Sequence, residues 1–117
     1  MSDILVIGGG VIGLLTAREL AASGADVTLV EMGETGRESS WAGGGIISPL
    51  YPWRYDESVT ALARWSQAVY PELCATLRDE SGIDPEYIAT GMLILDEHEQ
   101  EDALAWAATH GAVVEII

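Results

Sequence analysis

Six residues constrain this chain more than any others: Gly8-Gly9-Gly10-Val11-Ile12-Gly13, placed directly after the apolar run Ile4-Leu5-Val6-Ile7. A run without polar alternation over residues 3–7 is what a parallel strand covered on both faces requires. The glycines then turn the chain into a helix. Gly8 permits the tight turn, Gly10 lets backbone approach a pyrophosphate, and Gly13 lets helix and strand pack closely. The unpaired N–H groups and the positive dipole end of the new helix favour phosphate charge. Glycine clusters also occur in ordinary turns, but here both flanking contexts needed for dinucleotide binding are present.

The helix is expected over residues 11–23, where Leu14, Ala17, Leu20 and Ala21 recur at three- and four-residue spacing, and Gly24 supplies a left-handed cap. Residues 26–31 (Asp-Val-Thr-Leu-Val-Glu) read as the second strand, so a βαβ unit closes within about thirty residues. Glu31 ends that strand. A carboxylate there can accept hydrogen bonds from both ribose hydroxyls of an adenosine and would repel a 2′-phosphate, which favours NAD or FAD over NADP. The plainer alternative is a solvated carboxylate at a strand end.

From residue 32 to residue 56 regular patterning fails. Gly33, Gly36, Gly43, Gly44, Gly45, Pro49 and Pro52 punctuate a long loop, yet Trp41, Ile46, Ile47, Leu50, Tyr51, Trp53 and Tyr55 make it too apolar to stay solvated. Arg37 and the hydroxyls of Ser39 and Ser40 suit phosphate oxygens. Three consecutive glycines allow backbone to lie flat against a planar ring, where a Cβ would intrude. A glycine-rich surface linker is the alternative.

Helical period returns over 57–81, with Leu62, Trp65, Val69, Leu73 and Leu77 forming one apolar stripe expected in a core. Pro71 predicts a kink or two helices meeting. Residues 87–89 and 92–95 read as short strands around Thr90-Gly91. The segment 97–109 begins with an acidic cluster suited to a helix N-terminus. Gly111 caps that helix, and 112–117 reads as an apolar strand whose open edge invites pairing with another chain.

Composition narrows the partners. The 117 residues suffice for one domain, and five Arg, no Lys and nineteen acidic residues give a formal charge of −14. That charge disfavours nucleic acid and anionic membranes as partners, and it fits either a generic acidic cytosolic protein or one adapted to high salt. No apolar run approaches the ~20 residues of a membrane span, and the N-terminal stretch has no signal-peptide pattern. The one cysteine, Cys74, excludes an intrachain disulfide and reads as a packed core thiol in a reducing, cytoplasmic compartment. His98 and His110 lack partners at ligand spacing and read as helix-surface residues, so no metal site is expected.

Two stretches carry a resemblance. The unit from Ile4 to Glu31 resembles the FAD-binding start of the flavoprotein amine oxidases, a superfamily that includes D-amino acid oxidase. Residues 36–49 (Gly-Arg-Glu-Ser-Ser-Trp-Ala-Gly-Gly-Gly-Ile-Ile-Ser-Pro) are more specifically similar to glycine oxidase of the thiamine pathway, as are Tyr51-Pro52-Trp53-Arg54-Tyr55 and the stretch around Thr90-Gly91-Met92. The likeness spans essentially the whole chain.

It implies an α/β fold: the N-terminal βαβ of a Rossmann-like FAD-binding domain over 1–80, then the first strands and helix of a substrate domain over 81–117, in an incomplete chain. It also implies FAD as cofactor. Gly8, Gly10, Val11, Ile12 and Gly13 would lie at the pyrophosphate, and Glu31 at the ribose with Met32 beside it. Arg37, Glu38, Ser39 and Ser40 match the segment that follows the diphosphate. Gly43, Gly44, Gly45 and Ile46 match the backbone lining the flavin ring. Some relatives carry alanines and a methionine where Gly43 and Gly45 stand, so a side-chain contact to the flavin from position 45 is absent here. In that family a hydride passes from the α-carbon of a neutral amine or small amino acid to the flavin and then to oxygen; the imine hydrolyses or enters thiazole synthesis. The family's substrate-binding arginine and active-site tyrosine have no match in this chain, so no catalytic residue is assigned and the chain alone is expected to be inactive. Self-association is compatible with this reading. The competing readings are the first half of an NAD-dependent dehydrogenase and a non-catalytic nucleotide-binding or interaction module.

Overall fold

The first strand and the second are built to pair. In the computed structural model, which describes residues 2–95 and 98–117, β1 (Ile4–Ile7) runs parallel to β2 (Val27–Val30). The register sets Ile4 opposite Val27 and Ile7 opposite Val30. The Asp3 and Ile4 N–H groups donate to the Asp26 carbonyl at 2.8 and 3.2 Å, and the Asp3 carboxylate accepts the Asp26 N–H at 3.2 Å, so the ladder is closed at its start. Helix α1 (Val11–Ala22) crosses between them and packs on the sheet. Ser23 ends it, and Gly24 follows at φ +95°, its N–H on the Ala21 carbonyl. That is the left-handed exit the sequence predicts.

The sheet is covered on one face only. Side chains alternate along a strand, and here Ile4, Val6, Val27 and Leu29 are half-buried while Leu5 and Ile7 are 59% and 81% exposed. The expected two-sided cover is therefore corrected within the Met1–Ile46 unit: α1 supplies one layer, and no second layer of that unit lies against Leu5 and Ile7.

The chain separates into two compact units, one ending at Ile46 and one running from Ile47 to Ile117. β1, α1, β2 and the short α2 (Ser39–Ala42) make the first. The second holds a 3₁₀ turn (Pro52–Arg54), α3 (Glu57–Ser81) and α4 (Gln100–His110).

α3 is a single helix of 25 residues with Pro71 inside it, so of the two outcomes expected there, a kink or two helices meeting, the second does not occur. Proline removes one N–H bond, and the flanking turns carry the helix past it. Gly82, at φ +71°, closes it with its N–H on the Arg78 carbonyl at 2.8 Å. The apolar stripe is not a core within its own unit: Leu62 and Trp65 are 67% and 65% exposed. Thr60 is the buried residue of this helix. Cys74 is half-buried rather than fully packed.

α4 buries Ala103 and Ala107, carries Glu101 and Asp102 in its first turn, and ends at Gly111 in the left-handed region. Glu97, where the sequence starts this helix, lies outside the described residues. The strands expected over 87–89, 92–95 and 112–117 do not form. A strand exists through the neighbour that accepts its backbone bonds, and among the described residues β1 and β2 are the paired strands. His110 is also corrected. Its side chain is only 10% exposed, its ring meets Trp106 edge-on at 4.9 Å, and its Nε2 lies 3.3 Å from the Glu57 carboxylate. His98 is exposed in the turn before α4.

Candidate functional site

The glycine turn is shaped as its sequence demands. Gly8 sits at φ +104° and donates its N–H to the Val30 carbonyl at 2.8 Å, which anchors the turn to β2. A Cβ at Gly13 would lie 1.9 Å from the Gly8 carbonyl oxygen, so only glycine lets α1 start this close to β1. Gly10 is the extended N-cap of α1, and its carbonyl accepts the Leu14 N–H at 2.9 Å.

The first turn of α1 has N–H groups with no intrahelical partner. One of them, on Val11, donates to the Ser40 hydroxyl at 2.8 Å. A Cβ at Gly10 would sit 3.0 Å from the same oxygen. Twenty-nine residues of chain separate Val11 from Ser40, so the loop segment expected to touch phosphate does meet the helix start.

Glu31 forms the other wall. Its Oε2 accepts the Gly9 N–H at 2.6 Å and its Oε1 accepts the Gly33 N–H at 3.0 Å. The bond from Gly9, then that from Gly33, holds its carboxyl below the ordinary glutamate pKa, with Met32 N–H adding to them and desolvation opposing. The Gly36 N–H closes the same corner on the Gly9 carbonyl at 2.8 Å.

Gly8, Gly10, Val11, Gly13, Glu31 and Ser40 are thus brought together. Ile12 is exposed on the first turn of α1, and Met32 is exposed beyond Glu31. Arg37 is turned to its own neighbours. Its Nε meets Glu34 at 3.0 Å, and its guanidinium lies 4.1 Å from the centre of the Trp41 ring. Glu38 is the N-cap of α2, Ser39 its exposed first residue and Gly43 its extended C-cap. Gly44, Gly45 and Ile46 are exposed. A Cβ at Gly44 or Gly45 would meet nothing within 4 Å, although Gly45 needs its φ of +71°.

Sequence reasoning gave no site role to Gly9, Gly33 or Gly36; Gly9 and Gly33 hold the Glu31 carboxylate, and Gly36 ties the loop to Gly9. The signal was available in part: Gly9 fills a position the fingerprint leaves free, and it is the buried residue of the turn.

A second cluster lies wholly in the Ile47–Ile117 unit. Glu99 accepts the Trp53 indole N–H at 2.5 Å and a forked pair of bonds from Arg54, at 2.8 Å from Nε and 2.7 Å from the terminal nitrogen. Arg54 also stacks on Tyr51 at 4.0 Å, and Tyr51 meets Trp53 edge-on. The bonds from Arg54, then Trp53, hold the Glu99 carboxyl below its ordinary pKa. Trp53 therefore packs its loop. Among the described residues no group of three or more His, Cys, Asp or Glu is placed to hold a metal ion, and no helix is long and apolar enough to cross a membrane.

The model of the FAD dependent oxidoreductase family matches residues 3–117. A glycine oxidase of Pseudomonas aeruginosa is 63% identical over 107 residues, covering 92% of this chain and 29% of that protein. One of Pseudomonas putida is 59% identical over 106 residues, covering 91% of this chain and 29% of its own. Among solved structures, a glycine oxidase of Geobacillus kaustophilus superposes with a TM-score of 0.86 at 29% identity, over 97% of this chain and 32% of that one. A glycine oxidase of Bacillus cereus gives 0.77 at 34% identity, over 95% and 30%. The chain therefore spans about three-tenths of the length of these relatives.

Proposed function

The chain belongs to the FAD-dependent oxidoreductase family, and from that premise we propose that it is the FAD-binding, N-terminal part of a glycine oxidase-like enzyme. The observation that carries the proposal is the Ser40 hydroxyl on the Val11 N–H, because it joins the 36–46 segment to the phosphate turn. An NAD-dependent dehydrogenase needs the turn and the acidic residue but not that segment.

The chain's residues fit such a cofactor. Gly8, Gly10, Val11, Ile12 and Gly13 would present backbone to the pyrophosphate, with α1's dipole adding positive potential. Glu31 would accept the ribose hydroxyls, with Met32 beside the adenosine. Arg37, Glu38, Ser39 and Ser40 would follow the diphosphate, and Gly43, Gly44, Gly45 and Ile46 would line the ring system. FAD, when bound, supplies a two-electron acceptor for a hydride from the α-carbon of glycine, a small D-amino acid or a secondary amine, with O2 reoxidising it. The chain's own part is to bind and orient, and no group that holds or moves a substrate proton is assigned to it.

The substrate is accordingly a small amine or amino acid, the imine product would serve thiazole synthesis for thiamine, and the setting is cytoplasmic. With these goes a division into an FAD-binding part over 1–80 and the beginning of a substrate part over 81–117. Isolating the chain and releasing its ligand by denaturation for chromatography tests the reading. Yellow protein releasing FAD is the expected result. Release of NAD would favour the dehydrogenase, and protein that takes up neither nucleotide would refute the assignment.

A further inference from the structure

Arg18 meets Glu19, Arg37 meets Glu34, Arg54 meets Glu99 and Arg78 meets Asp79. Arg64, on α3, is the exception: among the described residues no carboxylate stands within ion-pair distance of it. One of its terminal nitrogens donates instead to the His110 carbonyl, which leaves the rest of its five N–H donors for another acceptor. In a chain with nineteen acidic residues, an arginine without one needs a reason.

Arg64 also lines a cavity of about 210 Å³ whose walls come wholly from the Ile47–Ile117 unit. Those walls are mostly apolar, with Trp53, Ile94, Trp106 and Val114 among them. Thr60 lines the same space and is only 4% exposed, whereas Arg64 is exposed and stands at the rim. Residues four apart share one face of a helix, so α3 aligns the hydroxyl-bearing side chain and the cation along one side of the cavity. Ser48 and Gln67, also in the wall, satisfy each other at 3.0 Å. We propose that this cavity is a binding site for a small aliphatic carboxylate, its charged end on Arg64 and its carbon chain among the apolar walls.

The ligand class follows from the fit. A planar guanidinium fork matches a carboxylate in geometry as well as charge. Apolar walls with a few polar groups are the usual composition of a small-molecule site, and a volume below the ~300–1,000 Å³ of drug-sized sites limits the occupant to a few carbons. A second charge on the ligand would lie against apolar walls with nothing to pair it. The formal −14 repels anions at a distance, but about 0.1 M salt confines that repulsion to about 10 Å, so direct contact with Arg64 decides. The site shares no residue with the cofactor cradle and does not depend on FAD. Arg64 is also not the substrate-binding arginine of the resembled family, which has no match in this chain.

Butyrate and butyramide test the proposal, because they share size and shape and differ in charge. Titrated into the isotopically labelled chain at about 0.1 M salt, butyrate should shift the amide resonances of Thr60, Arg64 and residues 112–114. It should bind about fivefold more tightly than butyramide, the scale of an exposed ion pair. Arg64→Gln should remove that preference and leave butyramide affinity unchanged, while Arg64→Lys should keep part of it, having the charge without the fork. Equal affinity for the two ligands in the unsubstituted chain overturns the proposal, as do shifts confined to other residues or no shifts at all. Equal loss of both ligands in Arg64→Gln would make Arg64 a support for the His110 carbonyl and overturn its role as the anion contact. If neither variant folds, the comparison of butyrate with butyramide in the unsubstituted chain decides.

Discussion

At Gly13 a single hydrogen stands where any other residue would put carbon 1.9 Å from a backbone oxygen. The carbonyl that blocks it belongs to Gly8, itself tied to β2, so neither partner can give way cheaply. Gly13→Ala should therefore cost about 3 kcal/mol or more, toward the upper end of overpacking penalties. Urea unfolding followed by circular dichroism checks this, and a loss under about 1 kcal/mol would mean that α1 can slide. Gly10 is a milder case, since its Cβ would meet only the Ser40 hydroxyl, at 3.0 Å. Gly10→Val should fold and yet lose FAD, because the side chain displaces Ser40 and fills the approach to the phosphates; FAD retained at full occupancy would refute the cradle. Trp106 makes the opposite point, its buried indole N–H having no partner among the described residues. Trp106→Phe removes an unsatisfied donor while keeping an aromatic ring, so stability should hold within about 1 kcal/mol or rise. The sequence makes the glycine roles readable because each follows from a missing Cβ. It cannot reveal Glu31's bonds to Gly9 and Gly33, because they depend on how the loop after β2 folds back.

Pro71 tests the longest element. It removes one backbone bond inside a helix that nevertheless runs from Glu57 to Ser81 without interruption. Pro71→Ala restores that bond and should stabilise the chain by about 1–3 kcal/mol, read from the shift of the urea midpoint; no change would show that the local cost is already relieved. The link between the 3₁₀ turn and α4 depends on acid instead. Glu99 receives Arg54 and Trp53, and its carboxyl is held below the ordinary value. A depressed folded-state pKa contributes stability that is present above the unfolded pKa and lost as pH falls through the folded one. Trp53 emission should therefore shift as pH drops through the region below pH ~4.5, and Glu99→Gln should abolish that shift. A Glu99→Gln chain whose emission titrates as before would assign the change elsewhere. The elements that were legible are marked locally: β1 and β2 by short apolar runs, and α1, α3 and α4 by helical period and a closing Gly24, Gly82 or Gly111. The strands expected over 87–89, 92–95 and 112–117 were not, because pairing is non-local and their apolar residues have no described strand beside them.

Charge acts on the whole molecule. Nineteen acidic residues against five arginines leave a formal −14 on 117 residues. The arginines already placed sit beside acids: Arg18 by Glu19, Arg37 by Glu34, Arg54 by Glu99 and Arg78 by Asp79. The excess therefore repels itself across the surface, and exposed pairs of this kind return little stability individually. Salt shortens the reach of that repulsion from about 10 Å at 0.1 M to about 3 Å at 1 M. The melting temperature should rise with sodium chloride. Screening and salting-out then separate by shape. Screening gives most of its gain below about 0.5 M and levels off, because beyond that the Debye length is shorter than the spacing of surface charges. Burial strengthened by an excluded salt climbs steadily, and more steeply in sulfate than in chloride at equal ionic strength. The exposed Leu5, Ile7, Leu62 and Trp65 would contribute to the second curve and not to the first. An early, saturating rise that is equal in chloride and sulfate assigns the effect to the acidic surface. A flat or falling melting temperature would refute charge repulsion as a limit on this fold.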